Sequence, residues 1–218
     1  LQAARDASRC STTGIDFDEG SIKRAIKPSE TEYHVGHLID EHFADESFSV
    51  VTFFESLEHH TEPIAALRDA YRILEPGGMC VVEVPNYGGF WRRVFGIYWL
   101  PLLMPQHLFH FTPASLKRAF EEAGFEDVVH QQTMFYPLEG VASLGIWLSK
   151  VLRSPPWGTP PSWRTPFDLI AFLLLCMLYP LVELPSQAIL RIFGLSGHQM
   201  AIGVRRTKSS VRANPAAD

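Results

Sequence analysis

Apolar residues fall along this chain in short blocks of two kinds. Phe48–Phe54 (FSVVTFF) and residues 79–84 (MCVVEV) are nearly continuous apolar runs, rich in β-branched and aromatic side chains. That pattern predicts strands covered on both faces. Ile64, Leu67, Tyr71 and Leu74 instead recur at spacings of three and four, which predicts a helix with one buried stripe. Thr61 would cap it, Pro63 fits its first turn, and Glu75-Pro76-Gly77-Gly78 would close it with a tight turn. Leu116, Ala119, Phe120 and Ala123 predict a second such helix, opened by Thr112-Pro113 and stopped by Gly124.

The shorter elements continue the alternation. Residues 12–17 (TTGIDF) read as a strand ending in acids. Residues 18–27 read as a helix with Ile22, Ala25 and Ile26 on one face, stopped by Pro28. Residues 33–38 are a short strand candidate, 40–47 a polar loop, 125–133 a strand and 198–205 a last strand. Leu1 to Arg5 read as the tail of a helix. Strands alternating with single amphipathic helices predict an α/β fold, a doubly wound, mostly parallel sheet. Residues 134–196 interrupt it as an aromatic, proline-broken insertion. The expected division is a core over 1–133, an apolar helical insertion or cap over 134–196, a final core strand over 197–208 and a disordered tail over 209–218.

Composition narrows the function. The 218 residues are 46% hydrophobic and 20% charged, which suits one globular domain and excludes disorder, collagen and coiled coil. Cys10, Cys80 and Cys176 are too scattered for a disulfide framework or a zinc spacing, so a reducing compartment is expected. The net charge of −5 argues against nucleic acid as a partner. Charge is unevenly spread: residues 1–140 hold 21 acids against 11 Lys and Arg, whereas residues 141–218 hold 3 against 8. The most apolar third is therefore basic, as a surface meeting an anionic membrane would be.

In an open α/β sheet the ligand lies beyond the carboxyl ends of the strands. Asp16-Phe17-Asp18, Gly36-His37-Leu38, Phe54-Glu55 and Pro85-Asn86 would all reach that rim. An acid ending a strand can accept both hydroxyls of a ribose, and Asp16 is the candidate. The competing role for Asp16 is to cap the next helix. No GxGxxG precedes Asp16, so either the ligand is not a nucleotide or the glycine loop lies upstream of Leu1.

Four blocks then carry a resemblance: GIDFDEGSIKRA (14–25), GHLIDEHFADESFSVVTFFESLEHH (36–60), LRDAYRILEPGGMCVVEVPN (67–86) and HLFHFTPASLKRAFEEAGF (107–125). In this order and spacing the chain resembles class I S-adenosylmethionine-dependent methyltransferases, closest to ubiquinone-pathway O-methyltransferases. The resemblance implies an enzyme, a methyltransferase with a Rossmann-like fold missing its first strand, S-adenosyl-L-methionine as cofactor, and a glycine-rich motif just ahead of Leu1, so that the chain as given reads as N-terminally truncated, without the loop that cradles the cofactor's methionine part. It implies that Asp16 binds the ribose hydroxyls and Phe17 lies near the adenine. His37 and Leu38 would sit beside the adenine edge, with His37 where the family usually has an acid. Phe54 and Glu55 would line the methionine end, and Glu58-His59 matches the family's Glu-His pair.

Methyl transfer is an in-line displacement, and a base is needed only for a hydroxyl acceptor. His59 is the candidate catalytic base, with packing at the strand end as the alternative. His107 is expected on the substrate side with Trp91 and Tyr98. No metal is expected: His107 and His110 lack an accompanying Cys or carboxylate, and the adjacent side chains of Glu58-His59-His60 should point apart. Residues 89–107 would form either an apolar lid over the substrate, with Arg92 and Arg93 open to an anionic group, or a helix on the sheet edge. Residues 169–182 (LIAFLLLCMLYPLV) are too short to span a bilayer and are broken by Pro180. They would lie in a membrane interface with Trp147, Trp157 and Trp163, cap the site, or form a dimer contact. The resulting expectation is O-methylation of a small, lipid-like acceptor by a cytoplasmic protein at the inner face of the membrane. The rival readings are a membrane-attached binding module that has lost the cofactor, and a nicotinamide oxidoreductase.

Overall fold

The computed structural model describes residues 10–24, 31–133, 139–151, 177, 181 and 184–207. The elements are β1 (Thr12–Asp16), α1 (Glu19–Arg24), β2 (Thr31–Val35), β3 (Phe48–Phe54), α2 (Pro63–Ile73), β4 (Leu74–Pro85), α3 (Phe90–Phe95), α4 (Pro113–Ala123), β5 (Glu126–Thr133), α5 (Glu139–Val151), α6 (Leu184–Ile192) and β6 (His198–Val204). One-turn 3-10 helices cover Leu38–Asp40, Leu57–His59, Gly96–Tyr98 and Leu100–Leu102. The expectations for residues 1–5, 169–176 and 209–218 lie outside the described residues.

β1 and β2 pair in parallel, Thr12 opposite Thr31 and Asp16 opposite Val35. The other four strands form a sheet in the order β3-β4-β6-β5. β3 and β4 are parallel, whereas β6 runs antiparallel to both of its neighbours. The sheet is thus mixed, with its antiparallel pairs on the side of the last strand.

α2 and α4 pack side by side on one face of that sheet. Ala66, Leu67, Ala70 and Ile73 meet Leu116, Ala119, Phe120 and Ala123 over Cys80, Val82, Val84 and Ala201. Thr112 and Ser115 cap α4 reciprocally, and Gly124 ends it at φ 101°, a left-handed conformation that suits glycine. Gly203 of β6 has a second role: a Cβ there would meet the Phe120 ring at 2.5 Å. The missing side chain lets Phe120 settle onto the sheet.

Several local expectations are corrected. The N-cap position of α2 is Glu62 rather than Thr61, without a side-chain cap hydrogen bond, and Pro63 is its first residue. Glu75-Pro76-Gly77-Gly78 does not interrupt the strand after it; β4 runs through it, and a register shift against β3 between Phe48 and Val50 absorbs the irregularity. The second strand lies at Thr31–Val35 rather than 33–38, because it ends where its partner β1 ends. β3 is not covered on both faces among the described residues. Val50, Phe54, Met79 and Val129 share the face away from α2 and α4, and they are 43–55% exposed.

Candidate functional site

The carboxyl ends of β1, β2, β3 and β4 point to one rim of each sheet, and β6 begins at that rim because it runs the other way. Asp16 ends β1 half-buried. Its Oδ1 accepts the Asp18 amide at 2.8 Å, and its Oδ2 takes no partner among the described residues. Capping of α1 falls to Asp18, whose carboxylate accepts the Gly20 and Ser21 amides. These bonds hold the Asp18 carboxyl below the usual carboxylate range, the Ser21 hydroxyl contributing most. With Asp18 as the cap, Asp16 is not needed to cap α1.

A row of rings runs from there along the rim. Phe17, 65% exposed, stacks on His37 at 6.0 Å and 14°. His37 meets His60 edge-on at 5.6 Å, and His60 meets Phe53 at 5.7 Å. Burial, then the neighbouring His37 and His59, depress the His60 pKa and favour its neutral form. Leu38 is buried beneath this row in the core. Phe54 is 55% exposed and Glu55 half-buried.

The Glu58-His59 turn and the segment 106–109 hold each other. The Leu108 and Phe109 amides donate to the Glu58 carbonyl, and His59 Nδ1 lies 2.9 Å from the Gln106 carbonyl. A carbonyl only accepts, so Nδ1 carries the hydrogen and Nε2 of the neutral ring carries the lone pair. His107 is fixed likewise, by Nδ1 to the Pro101 carbonyl at 2.8 Å. Its Nε2 lies 3.9 Å from Glu58 Oε1, and its ring meets His59 edge-on at 4.7 Å.

Glu58 is 1% exposed, and neither carboxyl oxygen has a hydrogen-bond partner among the described residues. Burial, reinforced by the charge of Glu55, pushes its pKa up to about 8. Burial and the neighbouring His59 press His107 the other way. At neutral pH the Glu58–His107 contact is therefore between neutral groups rather than an ion pair. Glu58, His59 and His107 each offer a ligand-type atom within 4.8 Å of the others, a donor set that could hold a divalent ion. This corrects the expectation that neighbouring Glu58 and His59 side chains diverge. A one-turn 3-10 helix brings them together, and the third member comes from 48 positions after His59. His110 is not part of the group; its Nε2 faces the Leu102 carbonyl.

A stability prediction follows from Glu58. Its folded pKa lies above its unfolded value, so the folded state holds an extra proton between about pH 4.5 and 8. With a chelator present, the melting temperature is expected to fall as pH rises through that window. Each unit of pKa difference is worth about 1.4 kcal/mol. Glu58→Gln should flatten the slope in calorimetric scans; an equally steep slope in that variant would assign it to another group.

The substrate-side expectations fare unevenly. Trp91 is half-buried, stacked on Phe95 at 5.6 Å, and a Cβ at Gly140 of α5 would meet it at 2.5 Å. Tyr98 is half-buried in its own turn. Residues 90–102 form one helix and two turns, pinned by Trp99, which is 1% exposed and donates Nε1–H to Glu139 Oε1 at 2.5 Å. Arg92 is not open to an anion: it donates to the Tyr87 hydroxyl at 2.6 Å and lies over the Tyr87 ring. Arg93 is exposed.

His198 is a rim residue that the sequence reading missed. It is 2% exposed, lies opposite Pro85 and places Nε2 at 3.3 Å from Glu55 Oε2. The signal available was the direction of the last strand: an antiparallel strand puts its first residue where parallel strands put their last.

Residues 1–131 match the family described as "Methyltransferase domain". The chain belongs to that family. It is 30% identical over 140 residues to the ubiquinone biosynthesis O-methyltransferase of Idiomarina loihiensis, covering 59% of this chain and 58% of that one. It is 35% identical over 95 residues to a demethylmenaquinone methyltransferase of Listeria monocytogenes, covering 39% and 40%. The chain thus spans roughly half the length of the curated relatives it matches. Solved structures share the fold at low identity. An S-adenosylmethionine-dependent methyltransferase from Thermotoga maritima aligns with TM-score 0.57 and 17% identity over 89% of this chain and 73% of that one. One from Archaeoglobus fulgidus gives 0.56 and 16% over 93% and 80%. The class I Rossmann-like methyltransferase fold expected from the sequence is therefore the fold observed, with the mixed strand directions described above.

Proposed function

We propose that this methyltransferase-family chain uses S-adenosylmethionine to methylate a hydroxyl of a small, apolar acceptor. The observation that carries the reading is His59. Its Nδ1 is tied to the Gln106 carbonyl, so its Nε2 holds the lone pair that a hydroxyl acceptor must meet. When bound, the cofactor supplies the methyl group as an electrophile; the protein positions, excludes water and takes a proton.

The chain's residues fit the cofactor. The Asp16 Oδ2, which takes no partner among the described residues, supports a role in holding ribose hydroxyls. The exposed ring of Phe17 on His37, with Leu38 beneath, supports an adenine shelf. Phe54 and Glu55 serve the methionine end, whose ammonium and sulfonium are both cations. His107 acts behind His59 rather than in front of it. Trp91 and Tyr98 line the acceptor's approach under Trp99.

Asp16→Ala is expected to weaken S-adenosylmethionine binding by about 10–100-fold, since hydrogen bonds to a charged group are each worth about 1.5–3 kcal/mol. Calorimetric titration checks it; binding within twofold of wild type would remove Asp16 from the site. The activity itself is tested by incubating the protein with labelled S-adenosylmethionine and phenols of increasing alkyl-tail length. Label transfer that improves with tail length supports the reading. Binding without transfer to any phenol favours the binding-module alternative.

The finer reading adds contact with an anionic bilayer. No helix among the described residues is long and apolar enough to cross a membrane. α6 and the residue after it present Ile189, Ile192 and Phe193, 54–81% exposed, beside Arg191, and α5 presents Trp147 and Leu148 near Lys150. The only acid described in α5 and α6 is Glu139, which is buried. Apolar and cationic groups without exposed acids favour peripheral adsorption. Co-flotation with anionic but not zwitterionic vesicles is the expected result.

A further inference from the structure

The start of β6 carries a residue that the reading above leaves without a role. His198 is buried, and its Nε2 lies 3.3 Å from Glu55 Oε2. An ionised carboxylate only accepts, so Nε2 carries the hydrogen and donates it.

Both ends of this contact are built. Glu55 follows β3 at φ 47°, a left-handed conformation that a side chain other than glycine adopts at a cost and that persists where surroundings enforce it. Its amide donates to the Glu83 carbonyl at 2.9 Å. β4 lies between β3 and β6, so the Glu55 side chain reaches across the end of β4 to meet His198.

The strap that delivers His198 is clamped from three directions. The Asn86 amide donates to the Gly197 carbonyl at 2.7 Å, and Asn86 Nδ2 donates to the Ser196 carbonyl at 2.8 Å. The Ser196 hydroxyl donates to the Thr133 carbonyl. The Glu139 carboxyl lies so close against Gly197 that no side chain would fit there. The imidazole is thereby the fixed partner and the Glu55 side chain the one that needs fixing.

We propose that His198 is a positioning residue for cofactor binding, acting through Glu55. This rests on the reading that Glu55 faces the cationic methionine end of the cofactor. The imidazole N–H holds one carboxylate oxygen, Oε2, and the other, Oε1, is buried with no partner among the described residues and stays available to the ligand. The effect should appear in cofactor affinity and not in the chemical step.

The test compares His198→Ala, His198→Gln, Glu55→Gln and the double variant Glu55→Gln/His198→Ala in the same chain as the wild type. Readouts are the Kd for S-adenosylmethionine by calorimetry and kcat and KM for labelled methyl transfer. His198→Ala is expected to raise Kd and KM about tenfold, close to 1.4 kcal/mol, with kcat within twofold. His198→Gln retains an N–H donor and should recover Kd to within threefold of wild type. Glu55→Gln should weaken binding at least as much as His198→Ala, and the double variant should bind no worse than Glu55→Gln alone, the signature of two groups acting as one unit. An unchanged Kd in His198→Ala, a kcat loss equal to the affinity loss, or additive losses in the double variant would each overturn the proposal. Should His198→Ala fail to fold, His198→Gln and Glu55→Gln still decide it, because affinity left intact in Glu55→Gln removes its basis. Wild-type chain that binds no S-adenosylmethionine would overturn the cofactor reading itself; wild-type binding matched by all variants overturns this inference alone.

Discussion

Replacing His59 with alanine is expected to lower kcat by about 10²–10⁴-fold, the usual contribution of one positioned general base, with cofactor affinity within about threefold. The expectation rests on where the imidazole is held. Its Nδ1 is committed to the Gln106 carbonyl, so Nε2 alone can take a proton from the acceptor. The ring is braced edge-on by His107, itself tied to the Pro101 carbonyl. His59→Asn is the discriminating variant. It keeps an N–H close enough to bond Gln106 but has no basic nitrogen. If both variants lose the rate while melting like wild type, the lone pair is what matters. If His59→Asn keeps the rate, His59 is a brace between two segments and the base lies elsewhere.

The second large effect is on the fold. Phe120→Ala is expected to cost about 3–5 kcal/mol, the range for removing a buried aromatic ring. That is a large share of the roughly 5–15 kcal/mol that stabilises an ordinary domain. Phe120 is fully buried, meets Phe125 at 5.2 Å and covers Gly203 of β6. It also belongs to the layer in which α2 and α4 meet, so the site cannot collapse without separating helices from sheet. Urea unfolding should show a lower midpoint with an unchanged slope, and Phe120→Leu should cost less than half as much. A midpoint shift worth under about 1 kcal/mol would mean that the helices are not seated through this ring.

The sequence by itself determined the local parts of this protein. Apolar runs and spacings of three and four are properties of consecutive residues, so α2, α4, β1, β3, β5 and β6 are all recognisable before any contact is known. Leu116, Ala119, Phe120 and Ala123 are buried together as their spacing requires. The motif order placed Asp16, His37, Glu55 and His59 at strand ends, and the family match bears out the class to which that order points.

Only the tertiary structure decided which groups meet. Pairing with β1 fixed where β2 ends, and β4 continued through a turn sequence because its neighbour could absorb a register shift. Glu58 became a buried, proton-holding acid because segment 106–109 closed over it. His198 reached Glu55 across a sequence separation of 143 because β6 runs against its neighbours. The physical reason is common to all of these. Backbone propensity and hydrophobic period act over a few residues, whereas desolvation, charge and hydrogen-bond partnership depend on what arrives from elsewhere in the chain.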